Sequence, residues 1–104
     1  MKKATKVLDL LGRVKDCLDS GRYCDTSHAV QRKSQRGISL PHILQVLRNG
    51  YHEKRKDEYK PEYDDWNYSI RGMTSDKKDI RVVVAFDNDD MLIITVIVLA
   101  KRSK

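Results

Sequence analysis

A histidine and two arginines recur at every fourth position in the segment HAVQRKSQRGIS. On a helix over residues 27–36, His28, Arg32 and Arg36 would therefore line one face. A histidine titrates near neutral pH and can carry a proton, and an arginine presents a planar set of donors to phosphate oxygens. We assign these three as candidate catalytic residues for phosphodiester chemistry. The alternative is a structural role, since an arginine in the last turn also stabilises a helix dipole.

Two further arginines are predicted to lie side by side on a sheet. Arg71 and Arg81 fall on the polar side of two alternating segments, WNYSIRG and IRVVVAFD, with Thr95 on the strand beyond. Arginines on adjacent strands would form a rigid phosphate clamp, so both join the candidate catalytic set. We expect the guanidinium groups of the helix and the sheet to converge on one anion-sized hollow. The alternative is a solvated outer face.

A third group combines cations with aromatic rings. Lys54, Arg55 and Lys56 are followed by Tyr59 and Tyr63. Single-stranded RNA is held in this way, by backbone charge and base stacking, and we predict that these five residues bind RNA. The alternative is an ordinary solvated edge, because acidic residues in the same stretch dilute the positive charge: Asp57, Glu58, Glu62, Asp64 and Asp65.

The composition favours an anionic partner. The chain has 104 residues, a formal net charge of +6 and a pI of about 9.4, which suits nucleic acid, an acidic protein or a membrane surface. We expect one domain over residues 1–104. Cys17 and Cys24 lack the spacing of metal ligands, so we predict no metal site. We also predict no cofactor, and we expect both cysteines to be free thiols in a reducing, cytoplasmic environment. We expect no signal peptide, because the N-terminal residues lack a long uncharged apolar core and a small-residue cleavage site. We also expect no membrane partner, because the longest apolar run is too short to span a membrane, which needs about 20 residues.

Hydrophobic periodicity predicts the helices and strands that position these residues. It predicts an amphipathic helix over 4–20 and short helices over 27–36 and 40–48, the last capped by Ser39. Alternating or continuous apolar patterns predict strands over 51–57, 66–72, 80–87 and 91–100, followed by a basic tail over 101–104. We therefore predict an α+β fold of one long and two short N-terminal helices packed on an antiparallel sheet of three to four strands. The last strand is apolar on both faces and would need a cover, such as a short helix, a second copy in a homodimer or a bound protein.

The residues His28-Ala29, Arg32 and Arg36-Gly37-Ile38-Ser39 resemble the signature of a bacterial family known as domain of unknown function 4258. YSIRG and RVVVAFD in the second half of the chain are similar as well. That family looks like a relative of the RelE-like ribonuclease toxins, including the MqsR and BrnT branches. The resemblance implies a RelE-like/MqsR-like two-layer architecture, RNA cleavage without metal, and an antitoxin-like protein partner. The chain departs from typical members in its longer first helix and its charged segment 54–65.

Two functional hypotheses follow. The first is a small, basic, RNA-binding protein that acts as a metal-independent endoribonuclease toxin of a toxin–antitoxin pair. The second is a non-catalytic protein-interaction or scaffold domain, dimeric, in which the basic helix is structural or contacts an acidic partner. A DNA-binding regulator is a weaker third hypothesis, because the all-strand second half lacks a further supporting helix.

Overall fold

The computed structural model describes residues 4–26 and 37–101, and of Ala100 and Lys101 only the backbone. These residues form, in chain order, α1 (Leu10–Ser20), β1 (Tyr23–Asp25), α2 (Leu40–Asn49), β2 (Tyr51–His52), a 3-10 turn (Lys54–Lys56), β3 (Glu58–Lys60), β4 (Asp65–Met73), β5 (Lys78–Asp87) and β6 (Asp90–Lys101). The predicted helix over 27–36 lies outside the described residues. No helix in the described part of the chain is long and apolar enough to cross a membrane.

Helix α1 begins at Leu10, so the prediction of a helix from residue 4 is wrong at its N-terminal end. Asp9 caps the helix, because its carboxylate accepts a hydrogen bond from the Gly12 amide. Residues 4–7 instead contact β4, where the Val7 amide donates to the Tyr68 hydroxyl at 2.9 Å. The buried residues of α1 follow helical spacing and point at the sheet: Leu10, Val14, Cys17 and Leu18.

Helix α2 packs closely on β4. Its buried residues are Ile43, Val46 and Leu47. The helix ends at Gly50, where a Cβ atom would lie 2.5 Å from the carbonyl oxygen of Arg71, so only glycine fits this approach. The predicted cap by Ser39 is not observed, because its hydroxyl pairs with Nδ1 of His42 at 3.1 Å.

The six strands form a mixed sheet in the order β1-β6-β5-β4-β2, with β3 also paired to β4. Strand β1 runs parallel to β6, with Tyr23 opposite Met91, and the other described pairs are antiparallel. The predicted antiparallel sheet of three to four strands, and with it the RelE-like/MqsR-like architecture, is therefore wrong. Three residues are too few for an alternation pattern to indicate β1. Strand β1 supplies backbone hydrogen-bond partners to one edge of β6, while β5 pairs with the other edge.

The segment 51–57, predicted as one strand, contains only the two-residue strand β2 and a turn, and β3 begins after it at Glu58. Strands β2 and β3 both pair with β4, and residues 53–57 bulge out between them. Opposite the bulge, the amide of Ser69 on β4 donates to Oδ1 of Asp57 at 3.0 Å. A side-chain carboxylate thus satisfies an amide that a regular strand would bond through its backbone.

The hydrophobic core lies between the two α-helices and one face of the sheet. The sheet contributes Tyr68, Ile70, Ile80, Val82, Val84, Met91, Ile93 and Val96 to it. The other face, which we call the outer face, carries the alternate residues of the same strands. There Arg71 lies opposite Arg81, and Val83 lies opposite Thr95. On the outer face Arg71 and Arg81 thus lie next to apolar residues, Val83 on β5 and Ile97 on β6.

Candidate functional site

An exposed basic turn lies at the sheet edge, between β2 and β3. The basic turn is the 3-10 segment Lys54–Lys56, whose three side chains are exposed and form no ion pair with the residues that the structure describes. Its backbone is fixed, because the Lys56 amide donates to the Glu53 carbonyl at 2.9 Å and the Lys56 carbonyl accepts from the Ser69 hydroxyl at 3.2 Å. Three consecutive cations therefore project from a well-held backbone.

Glu53, directly before the basic turn, is a buried anchor with only 5% of its surface exposed. Its Oε1 accepts from Nε of Arg81 at 2.7 Å, and its Oε2 accepts from Nη1 of Arg71 at 3.2 Å. The hydrogen bond from Arg81 is the main reason why the pKa of Glu53 lies below its ordinary value of 4.5, although burial acts in the opposite direction. The carboxylate is thus ionised at neutral pH and joins both arginines to the start of the turn.

Arg71 and Arg81 are adjacent on β4 and β5, but they do not form an open phosphate clamp. Besides its bond to Glu53, Arg71 donates from Nε and Nη2 to the two carboxylate oxygens of Asp79, at 3.1 and 2.7 Å. This bidentate pair raises the pKa of Arg71. Glu53 and Asp79 therefore occupy the donors of Arg71 that a phosphate would need. A catalytic role for either arginine stays a prediction.

Asp57, directly after the basic turn, is a second anchor, and its side chain is fully buried. It accepts hydrogen bonds from Nζ of Lys6 and from the Ser69 amide, both at 3.0 Å, and pairs with Nε2 of His52 at 2.7 Å. Lys6 also lies over the ring of Trp66, 4.4 Å from its centroid. This carboxylate thus connects the N-terminal segment, β2 and β4 at the end of the basic turn.

Beside the basic turn the outer face contains a cavity of about 420 Å³, which we call the basic cavity. Its charged lining is Arg55, Lys56, Lys60, Arg81, Asp57 and Glu58, and the rest is Asn67, Ser69, Val83, Ile94, Thr95 and Ile97. Glu58 is paired with Lys60 at 2.8 Å. Arg81 uses Nε for Glu53, and its two terminal nitrogens have no partner among the described residues. Arg55, Lys56 and Arg81 therefore offer free donors to an anion.

A second cavity of about 690 Å³, which we call the side cavity, adjoins the basic cavity, because Lys60, Asn67 and Ile94 line both. Its other lining residues are Thr26, Glu62, Tyr63, Asp65, Trp66, Ala85, Phe86, Asp87 and Leu92. Tyr63 lies on the turn between β3 and β4 and is 78% exposed. The side cavity thus combines aromatic and apolar surface with a few polar groups.

The predicted RNA-binding residues are divided between these surfaces. Arg55 and Lys56 line the basic cavity, and Tyr63 lines the side cavity. Tyr59 is engaged within the protein, because its hydroxyl donates to Asp64, a contact that raises its pKa, and its ring lies edge-on to Trp66. Lys54 is exposed on the basic turn but lines neither cavity. The geometry thus favours part of the predicted set.

Three of the predicted catalytic residues, His28, Arg32 and Arg36, lie outside the described residues. Their convergence with Arg71 and Arg81 therefore stays a prediction. Neither anchor is predicted from the sequence. The sequence indicates that Asp57 dilutes the basic run and assigns no role to Glu53, whereas both carboxylates are directed inward. The order Glu-Lys-Arg-Lys-Asp carries the available signal, because it places one acid at each end of a short basic run.

The described residues can hold an anion but show no complete reaction centre. No group of three or more His, Cys, Asp or Glu side chains that could hold a metal ion occurs among them. The two carboxylates of the basic cavity are both engaged, Asp57 with Lys6 and Glu58 with Lys60. Neither is therefore a free proton acceptor for the cleavage of RNA.

The fold and the site define a small α+β protein with a mixed sheet and a cationic cavity on its outer face. Residues 26–98, more than half of the chain, match the family described as Domain of unknown function (DUF4258). The chain therefore belongs to this family, which confirms the resemblance seen in the sequence. No curated protein and no solved structure matches the chain. The further relationship to RelE-like toxins stays a hypothesis.

Proposed function

We propose that this protein binds single-stranded RNA, with phosphates of the strand in the basic cavity. The observation that carries this proposal is the contrast between the basic turn and its flanking acids. The carboxylates of Glu53 and Asp57 are buried and engaged, while the side chains of Lys54–Lys56 are exposed without a carboxylate partner among the described residues. A local excess of positive charge therefore remains available to a phosphate chain.

The lining of the basic cavity favours a nucleic acid strand over a small anion. Arg55, Lys56 and Arg81 supply donors for phosphate, while Val83 and Ile97 supply apolar surface beside them. Ribose rings and unpaired bases present apolar surface next to their phosphates, so a single strand complements both parts of the lining. The net charge of +6 adds a long-range attraction for any polyanion.

A binding titration tests this proposal. A short fluorescent single-stranded RNA is titrated at low salt, and its anisotropy is measured with the wild type, with Arg55→Ala/Lys56→Ala and with Lys15→Ala. Lys15 is an exposed cation on α1, in the helical layer, and serves as the matched control. We expect the double variant to bind about tenfold more weakly and the control to bind nearly as the wild type does.

A wild type that fails to bind RNA at low salt would contradict the proposal and would favour the protein-interaction alternative. A loss of affinity per removed charge that is no larger in the double variant than in Lys15→Ala would show that binding follows net charge and not this site. Either result would remove the basic cavity as the RNA site.

Cleavage by this protein is a separate prediction, because it needs a proton carrier, for which His28 or a tyrosine is the candidate. Incubation of RNA with the protein in EDTA tests it, with His28→Ala as the control variant. We expect fragments from the wild type and intact RNA from His28→Ala. Intact RNA with both proteins over a broad pH range would leave an RNA-binding protein without endoribonuclease activity. The antitoxin-like partner, the homodimer and the cytoplasmic location also stay predictions.

A further inference from the structure

We propose that the side cavity binds an unpaired nucleobase of the same RNA strand whose phosphate lies in the basic cavity. This inference rests on the proposed function, and it adds a second subsite of different chemistry. It makes unpaired bases, and not phosphate charge alone, a requirement for tight binding.

The two cavities are joined at Asn67. Its side chain lines both of them, together with Lys60 and Ile94, and no hydrogen bond of its amide is found among the described residues. An amide group offers both donors and an acceptor, which is the combination that the edge of a nucleobase requires. A strand that passes from the basic cavity to the side cavity would therefore meet this amide between a phosphate and a base.

Tyr63 supplies an exposed ring at the rim of the side cavity. It lies on the tight turn that follows β3, where the Tyr63 amide donates to the Lys60 carbonyl at 3.1 Å and Asp64 adopts a left-handed conformation (φ +49°). These contacts fix the backbone beneath the ring. Most of the ring is in solvent, so it is available for stacking, and Phe86 and Leu92 line the cavity beside it.

The geometry also determines the class of nucleic acid. A base in a duplex is stacked and paired, so it can enter a cavity only after it has left the helix. A single strand presents its bases without that cost. The side cavity should therefore make the protein prefer single-stranded RNA to a duplex of the same phosphate count.

The experiment compares two oligomers of equal length and charge, one a single-stranded RNA and the other a ribose-phosphate chain without bases. Anisotropy titrations use the wild type, Tyr63→Ala, Asn67→Ala and the matched control Tyr51→Ala. Tyr51 is an exposed tyrosine on β2 that lines neither cavity. We expect the wild type to bind the RNA at least about fivefold more tightly than the abasic chain.

In Tyr63→Ala and Asn67→Ala this preference should fall toward unity. In Tyr63→Ala, which changes a residue that lines only the side cavity, the affinity for the abasic chain should equal that of the wild type. Tyr51→Ala should keep the wild-type preference. Equal affinity of the wild type for both oligomers would overturn the nucleobase site and leave the phosphate site standing. Equal losses for both oligomers in Tyr63→Ala would also overturn it. If neither oligomer binds, the proposed function itself fails.

Discussion

Two sets of cations on the same sheet differ in what holds them. Arg71 and Arg81 project from β4 and β5, and each donates to the buried Glu53, with Asp79 holding Arg71 as well. The cations of the basic turn have no carboxylate partner among the described residues. The number of charged residues in a segment therefore does not determine the net charge that the segment exposes to solvent. Here the acids face inward and the lysines and the arginine of the turn face outward.

The largest effect should come from breaking the ion pairs that Glu53 forms with Arg71 and Arg81. The substitution Glu53→Gln removes the charge that neutralises two arginines, of which Arg81 is mostly buried. We expect the free energy of unfolding to fall by about 2–4 kcal/mol, near the lower end of the range for buried ion pairs because Arg71 reaches solvent. Urea denaturation at neutral pH measures this loss.

The matched control is Glu58→Gln, which removes an exposed carboxylate paired with Lys60 on the same segment. Its effect should stay within about 0.5 kcal/mol. Similar losses in both variants would show that Glu53 is not an anchor, and the contrast between the two sets of cations would disappear.

The second anchor should contribute somewhat less. The substitution Asp57→Asn removes the charge that faces Lys6 and His52 but keeps an oxygen for the Ser69 amide. We expect a loss of about 1–3 kcal/mol in the free energy of unfolding. Asp19→Asn, which breaks the exposed pair with Arg48, is the control and should have little effect. A stability of Asp57→Asn equal to that of the control would contradict the anchoring role.

Acid should weaken the Glu53 anchor. Because the folded pKa of Glu53 is lowered, its ion pairs contribute stability above the ordinary value of 4.5 and lose it as the pH falls through the lowered value. The difference in unfolding free energy between the wild type and Glu53→Gln should therefore shrink below about pH 4.5. Urea unfolding from about pH 7 to about pH 3 measures it. A difference that stays constant over this interval would contradict the account.

The smallest effect on stability is expected when the cations of the basic turn are removed. The double variant Arg55→Ala/Lys56→Ala removes two exposed side chains and leaves the backbone contacts of the turn in place. The free energy of unfolding should change by less than about 0.5 kcal/mol. Thermal or urea denaturation provides the comparison. A large destabilisation would show that Arg55 and Lys56, like Arg71 and Arg81, contribute to the stability of the fold.

Local patterns predict some parts of this fold well. Alternation over WNYSIRG and IRVVVAFD places strands where β4 and β5 lie, and it puts Arg71 and Arg81 on the same face. These patterns work because they depend on residues that are neighbours in the sequence. The start of α1 was predicted six residues too early, because the contacts of residues 4–7 with Trp66 and Tyr68 are long-range.

In the candidate site, too, local patterns predict some features, while other features depend on long-range contacts. The exposed cations of the turn are evident from the run Lys-Arg-Lys. Their freedom from carboxylates is not evident, because it depends on Glu53 meeting two arginines from β4 and β5, and on Asp57 meeting Lys6 from the N-terminal segment. The same contacts replace the predicted edge strand 51–57 by the short strand β2 and a turn, after which β3 begins.

The most direct test of the central claim is the salt dependence of RNA binding. The logarithm of the association constant is measured against the logarithm of the salt concentration for the wild type and for Arg55→Ala/Lys56→Ala. If the turn contacts phosphates, the slope should decrease in magnitude by about 1.4 in the double variant, since each lost contact with a single strand accounts for about 0.7. An unchanged slope would show that the basic turn does not contact the phosphate chain and would contradict the account.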